Sequence, residues 1–180
     1  MIQSVNPAPT DETDGLPMPR RIWAVISVGF ALCMSVLDVN IINIVLPTLS
    51  HDFGTSPAVT TWIINGYQLA IVVSLLSFSA LGEIIGYRKV YLSGIGLFCI
   101  TSLICALSDS FWTLTIARIF QGFSASAITS VNTAQLRYIY PKSQLGRGMG
   151  INAMVVAISA AAGPSVASGI LSIASWHWLV

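Results

Sequence analysis

Two ionisable side chains, Asp38 and Arg118, sit inside long apolar runs of this chain, and they are the residues best placed to do chemistry. A charge at the centre of a bilayer costs roughly 2.5–3.5 kcal/mol even on lenient insertion scales, so residues of this kind are functional suspects by default. Asp38 lies eight residues before the end of its run at Leu46, and Arg118 eight residues after the start of its own near Ser110. At the helical rise both lie about 12 Å below the same boundary. Equal depth and opposite charge predict a direct or water-bridged pair. On one reading Asp38 exchanges a proton and Arg118 tunes that exchange; on the other, the pair only fixes how the helices pack.

Amides accompany the pair. Asn40 and Asn43 share the run of Asp38, Asn65 and Gln68 occupy the next run, and Gln121 follows Arg118 by one turn. Among aliphatic neighbours, a few amides and one carboxylate describe a cavity better suited to a small amphipathic or cationic substrate than to a sugar or phosphate. Taken singly, each amide serves equally well as a hydrogen bond between helices.

The elements that must position these residues are transmembrane helices. Apolar residues make up 54% of the sequence and charged residues 8%, against roughly a quarter charged in a soluble domain. A bilayer core about 30 Å thick takes about 20 helical residues. Five runs qualify, at about 22–46, 60–81, 90–108, 111–134 and 149–173, and a sixth begins at Trp176. The fold class is therefore an all-α polytopic membrane bundle, with five complete spans and the start of a sixth over residues 20–180. Residues 1–19, with four prolines and three acidic residues, read as a disordered tail.

Seven of the eight basic residues, all except Arg118, fall before the first run or in the loops after the second and fourth. The positive-inside rule then puts the N-terminus in the cytoplasm. Trp23 marks one interface, and Trp62, Trp112, Trp176 and Trp178 the other. A net charge of +1 with no basic cluster speaks against nucleic acid as a partner. Cys33, Cys99 and Cys105 lack metal-ligand spacing and read as small core residues, while His51 and His177 read as surface residues outside the membrane. No nucleophile with its base and no phosphate loop appears, so neither an enzyme nor a cofactor is expected. The last run carries small residues around Gly163 and Pro164. They suit close packing around a proline kink or, equally, a gate between moving halves.

Four motifs in order resemble the major facilitator superfamily and, within it, the bacterial drug:proton antiporters with fourteen spans. LDVNIINIVLP (37–47) is similar to the span-one signature of that subfamily through Asp38, Asn43 and Pro47. SALGEIIGYRKV (79–90) resembles the loop motif between spans two and three through Leu81, Gly86, Arg88 and Lys89, with Glu83 standing for the motif's aspartate and Ile84 for its first arginine. LTIARIFQGFSAS (114–126) places Arg118, Gln121 and Gly122 on the key positions of the span-four motif. Gly150, Gly163 and Pro164 match the antiporter motif of span five, with Ser159 in place of a glycine.

The resemblance implies an N-terminal bundle working by alternating access, built from inverted repeats and partnered by a C-terminal bundle in the bacterial inner membrane. It implies that Asp38 and Arg118 couple protons to export of a lipophilic cation. Glu83, Gly86, Arg88, Lys89, Gly150, Gly163 and Pro164 would take part in gating. The alternatives are an exporter of one metabolite, or a truncated product that inserts and moves nothing.

Overall fold

A computed structural model of the chain describes residues 15–172. Five long helices dominate: α1 (Met18–Asp52), α3 (Trp62–Ile85), α4 (Tyr87–Ala106), α5 (Phe111–Ile139) and α6 (Leu145–Leu171). A single turn, α2 (Pro57–Thr60), precedes α3, and a 3-10 turn (Lys142–Gln144) leads into α6. The helices run up and down. At one end, the Leu16 N–H donates to the Ile139 carbonyl (3.2 Å), Arg21 donates to Gln144 (3.1 Å), and the rings of Tyr87 and Tyr138 lie 6.4 Å apart. This is the basic end. The rings of Phe53 and Phe111, also 6.4 Å apart, mark the opposite end.

The helices differ from the expected spans mostly at their ends. α1 begins at Met18, and Leu16 is held by Ile139, so residues 15–19 are not part of a free tail. The rest of the expected tail, the sixth span from Trp176, and His177 lie outside the described residues. α1 also continues through Pro47 to Asp52. A proline inside a helix lacks the N–H that its i−4 carbonyl would receive, here that of Asn43, but its ring does not oblige the chain to leave the helix. α4 stops at Ala106, while α5 runs on to Ile139.

Four segments are long and apolar enough to cross a membrane: Met18–Asp52, Pro57–Ile85, Tyr87–Ala106 and Lys142–Leu171. α5 is the exception, because it is the most enclosed helix. Arg118, Gln121, Ser124, Ser126 and Asn132 all lie on it, and all are buried. It packs against α3, α4 and α1, while α1 packs mainly against α6. A helix shielded by its neighbours has little contact with lipid, so it can carry polar groups that its partners satisfy. The other helices turn apolar faces outward, for instance Ile26 and Phe30 on α1, Val72 and Leu76 on α3, and Ile100 and Leu103 on α4. Faces of this kind suit hydrocarbon rather than water.

Close approach between helices depends on two glycines. A Cβ added at Gly122 would lie 2.5 Å from the Tyr67 carbonyl, which brings α5 against α3. At Gly163 it would lie 2.7 Å from the Asn40 Cβ, which does the same for α6 and α1. One residue joins α3 to α4: Gly86, with φ at +98°, a conformation that side chains with a Cβ rarely adopt.

Candidate functional site

Two apolar clusters fill the bundle. One contains Val28, Val90, Phe98, Ile128 and Val131 toward the basic end, and the other Ile42, Val45, Leu49, Ile63 and Leu114 toward the opposite end. Where they meet, the structure brings Asp38 of α1 against Arg118 of α5. Arg118 Nη1 donates to Asp38 Oδ1 at 2.6 Å, with Arg118 1% and Asp38 8% exposed. The pair is therefore direct and needs no bridging water. Each charge offsets the desolvation of the other, which is what permits either to exist at this depth.

Gln121 completes the arrangement. Its Oε1 accepts a second bond from Arg118 Nη1 at 2.6 Å, while its Nε2 donates to Ser102 Oγ of α4 at 2.8 Å and, more weakly, to Asp38 Oδ1 at 3.4 Å. The spacing of Arg118 and Gln121, three residues apart on one helix, puts both side chains on the same face. One side-chain amide thus ties together the carboxylate, the guanidinium and a hydroxyl from a third helix. The Cys105 thiol also approaches Gln121 Oε1, at 3.7 Å. From α3, the Tyr67 ring faces the guanidinium, with its centroid 5.2 Å from Arg118 Cζ. Asp38 Oδ2, Arg118 Nε and Tyr67 Oη are buried without a hydrogen-bond partner among the described residues. Asp38 therefore keeps an oxygen on which a proton can be taken up.

The other expected cavity residues are not gathered here. Asn43, Asn65 and Gln68 are exposed, and Asn40 is half-buried against α6. Asn40 and Asn43 each donate to a carbonyl of their own helix, those of Val36 (2.7 Å) and Val39 (2.8 Å). α3 meets α5 through the stripe Ile63, Tyr67, Ala70 and Ser74, and Asn65 and Gln68 fall beside that stripe rather than on it. Glu83, Gly86, Arg88 and Lys89 all lie at the α3–α4 turn on the basic end, exposed. Gly150 and Pro164 are exposed on α6, and Gly163 is buried.

Three participants escaped the sequence reading: Tyr67, Ser102 and Cys105. Ser102 and Cys105, three residues apart on α4, fall on one helical face, and that spacing was the available signal. Of the cysteines, read alike as core residues, only Cys105 is fully buried; Cys99 is exposed and Cys33 half-buried. The described residues contain no group of three or more His, Cys, Asp or Glu arranged to hold a metal ion.

Comparison with known proteins agrees with this picture. The chain is 53% identical over 171 residues to an uncharacterised transporter of Escherichia coli strain K12, covering 95% of this chain and 37% of that protein. It is 32% identical to a riboflavin transporter of Clostridioides difficile strain 630, over 87% of this chain and 35% of the relative. It is 30% identical to a drug efflux pump of Mycobacterium tuberculosis, over 85% and 30%. The chain thus spans about a third of the length of the curated relatives it matches. These relatives are named as transporters, not enzymes. Residues 28–180, which include the buried acid–arginine pair and four of the five long helices in full, match the family model itself, and the chain belongs to the Major Facilitator Superfamily.

Proposed function

We propose that this chain is the N-terminal bundle of a proton-coupled exporter of lipophilic cations, in which Asp38 is the coupling carboxylate and Arg118 its counter-charge. The observation that carries the reading is the buried contact between Arg118 and Asp38, 2.6 Å long and sited between two apolar cores. A carboxylate there has two competing ligands to offer itself to, a proton and a cationic substrate. A proton on Asp38 removes the charge that a bound cation needs, releasing it outward. Loss of that proton on the cytoplasmic side restores the site. Arg118 keeps its charge throughout, because a guanidinium does not deprotonate in proteins.

The rest of the assignment follows from the sequence. The basic end faces the cytoplasm, the N-terminus with it, and the bilayer is the bacterial inner membrane. A C-terminal bundle completes the alternating-access machine, and the amides Asn40, Asn43, Asn65 and Gln68 face the pathway between the two. Glu83, Gly86, Arg88 and Lys89 act in a gate at the α3–α4 turn, and Gly150, Gly163 and Pro164 in the movement of α6. Similarity to a drug efflux pump supports cation export. Similarity to a riboflavin transporter supports a second reading, in which one metabolite is the substrate.

The test is proton-driven efflux of a fluorescent lipophilic cation from vesicles that contain the full-length transporter. The native protein is expected to pump, and Asp38→Asn, inserted at the native level, is expected not to. Equal pumping by the variant refutes the coupling role. No pumping by either moves the assignment to the metabolite reading.

A further inference from the structure

We propose that Tyr67 is a positioning residue of this site: its ring seats the Arg118 guanidinium when Asp38 takes up a proton and no longer offers a counter-charge. The proposal rests on the coupling role of Asp38 and adds to it a second anchor for the arginine.

Arg118 is 1% exposed and remains charged, so it needs a counter-group in both states of Asp38. With the carboxylate ionised, the 2.6 Å bond to Asp38 Oδ1 supplies one. Protonation removes that charge. What then surrounds the guanidinium is the neutral Gln121 amide, accepting at 2.6 Å, and the face of the Tyr67 ring at 5.2 Å. The face of an aromatic ring is negative, and its attraction for a cation grows when both are desolvated. Tyr67 is 3% exposed, and its main chain is pressed beneath α5 where Gly122 lacks a Cβ. The ring is therefore a fixed seat rather than a mobile one. Arg118 Nε is buried without a partner, so no further hydrogen bond ties the guanidinium elsewhere.

The ring matters most when the carboxylate is neutral, and its loss therefore makes proton uptake less favourable. The other groups around Asp38 are Arg118 and Gln121 of α5 and, through Gln121, Ser102 and Cys105 of α4. α6, also packed on α1, has no ionisable residue between 148 and 171. Removing a desolvated cation–π contact is expected to move the pH profile of the site by about one pH unit toward acid.

The experiment measures binding of tetraphenylphosphonium to the purified full-length transporter as a function of pH, with the proton competing for the site. Tyr67→Phe is expected to keep the native midpoint, since the ring remains. Tyr67→Leu is expected to shift it by about one unit toward acid. Ring-fluorinated phenylalanines incorporated at position 67 keep the shape and weaken the negative face, so the midpoint is expected to move toward acid with each fluorine. That series decides the matter even where Tyr67→Leu does not fold. If the native midpoint is abolished by Asp38→Asn yet unmoved by fluorination, the ring has no such role while the coupling reading stands. If Tyr67→Phe shifts as far as Tyr67→Leu, the hydroxyl acts and the proposal is overturned. If native binding shows no pH dependence that Asp38→Asn removes, the coupling reading falls and the proposal with it.

Discussion

Neutralising Asp38 leaves Arg118 charged, 1% exposed and without its counter-ion. Breaking a buried pair from one side typically costs about 3–5 kcal/mol, because the surviving charge is stranded in a medium that does not solvate it. Gln121 still accepts from Arg118 at 2.6 Å, and a hydrogen bond to a charged group retains roughly 1.5–3 kcal/mol. The Asp38→Asn variant is therefore expected to fall at the lower end of that range, near 3 kcal/mol. Removing both charges, in Asp38→Asn with Arg118→Gln, strands nothing, and the double variant is expected to recover at least half of the single loss. The assay is a double-mutant cycle on the full-length protein in mixed micelles, with unfolding free energies for the native form, both single variants and the double variant. A pair in contact should give a coupling of about 1–3 kcal/mol. A cost below about 1 kcal/mol for Asp38→Asn, or two single costs that simply add in the double variant, would refute a desolvated pair and imply that water reaches the site.

Other outcomes follow from the same geometry. Gln121→Leu removes a donor and an acceptor while roughly keeping volume, leaving Ser102 and part of Arg118 unsatisfied; a loss of about 1–3 kcal/mol is expected in the same unfolding assay, with substrate binding weakened. Gly122→Ala places a Cβ 2.5 Å from the Tyr67 carbonyl, and main chain cannot turn aside as a side chain can, so α3 and α5 separate at a cost of about 1–3 kcal/mol, read as a lower melting temperature. In detergent, maleimide is expected to label the exposed Cys99 well before the buried Cys105, as followed by peptide mass spectrometry. Reporter enzymes fused after Gly54 and after Lys142 are expected to report opposite sides of the membrane, with Lys142 cytoplasmic; the reverse result would overturn the orientation drawn from the basic residues.

Sequence alone determined how many helices form and roughly where, because the thickness of hydrocarbon sets their length and unsatisfied backbone is too costly there for anything but helix. It also determined that Asp38 and Arg118 should meet, since helical rise fixes depth and two opposite charges at one depth have few other ways to be accommodated. Depth is a one-dimensional property, readable along the chain. What only the tertiary structure decided is lateral. Asn65, Gln68 and Tyr67 lie within one turn of α3, yet only Tyr67 reaches the pair, because α3 docks through the stripe on which Tyr67 sits. α5 tolerates its polar residues because other helices surround it, and hydropathy along the chain cannot register a neighbour. Cys105 and Ser102 looked like ordinary residues of an apolar run until α4 brought them beside Gln121. The helix ends were decided locally, by Leu16 bonding to Ile139 and by a helix that continues through Pro47, at a scale where hydrocarbon thickness no longer constrains the chain.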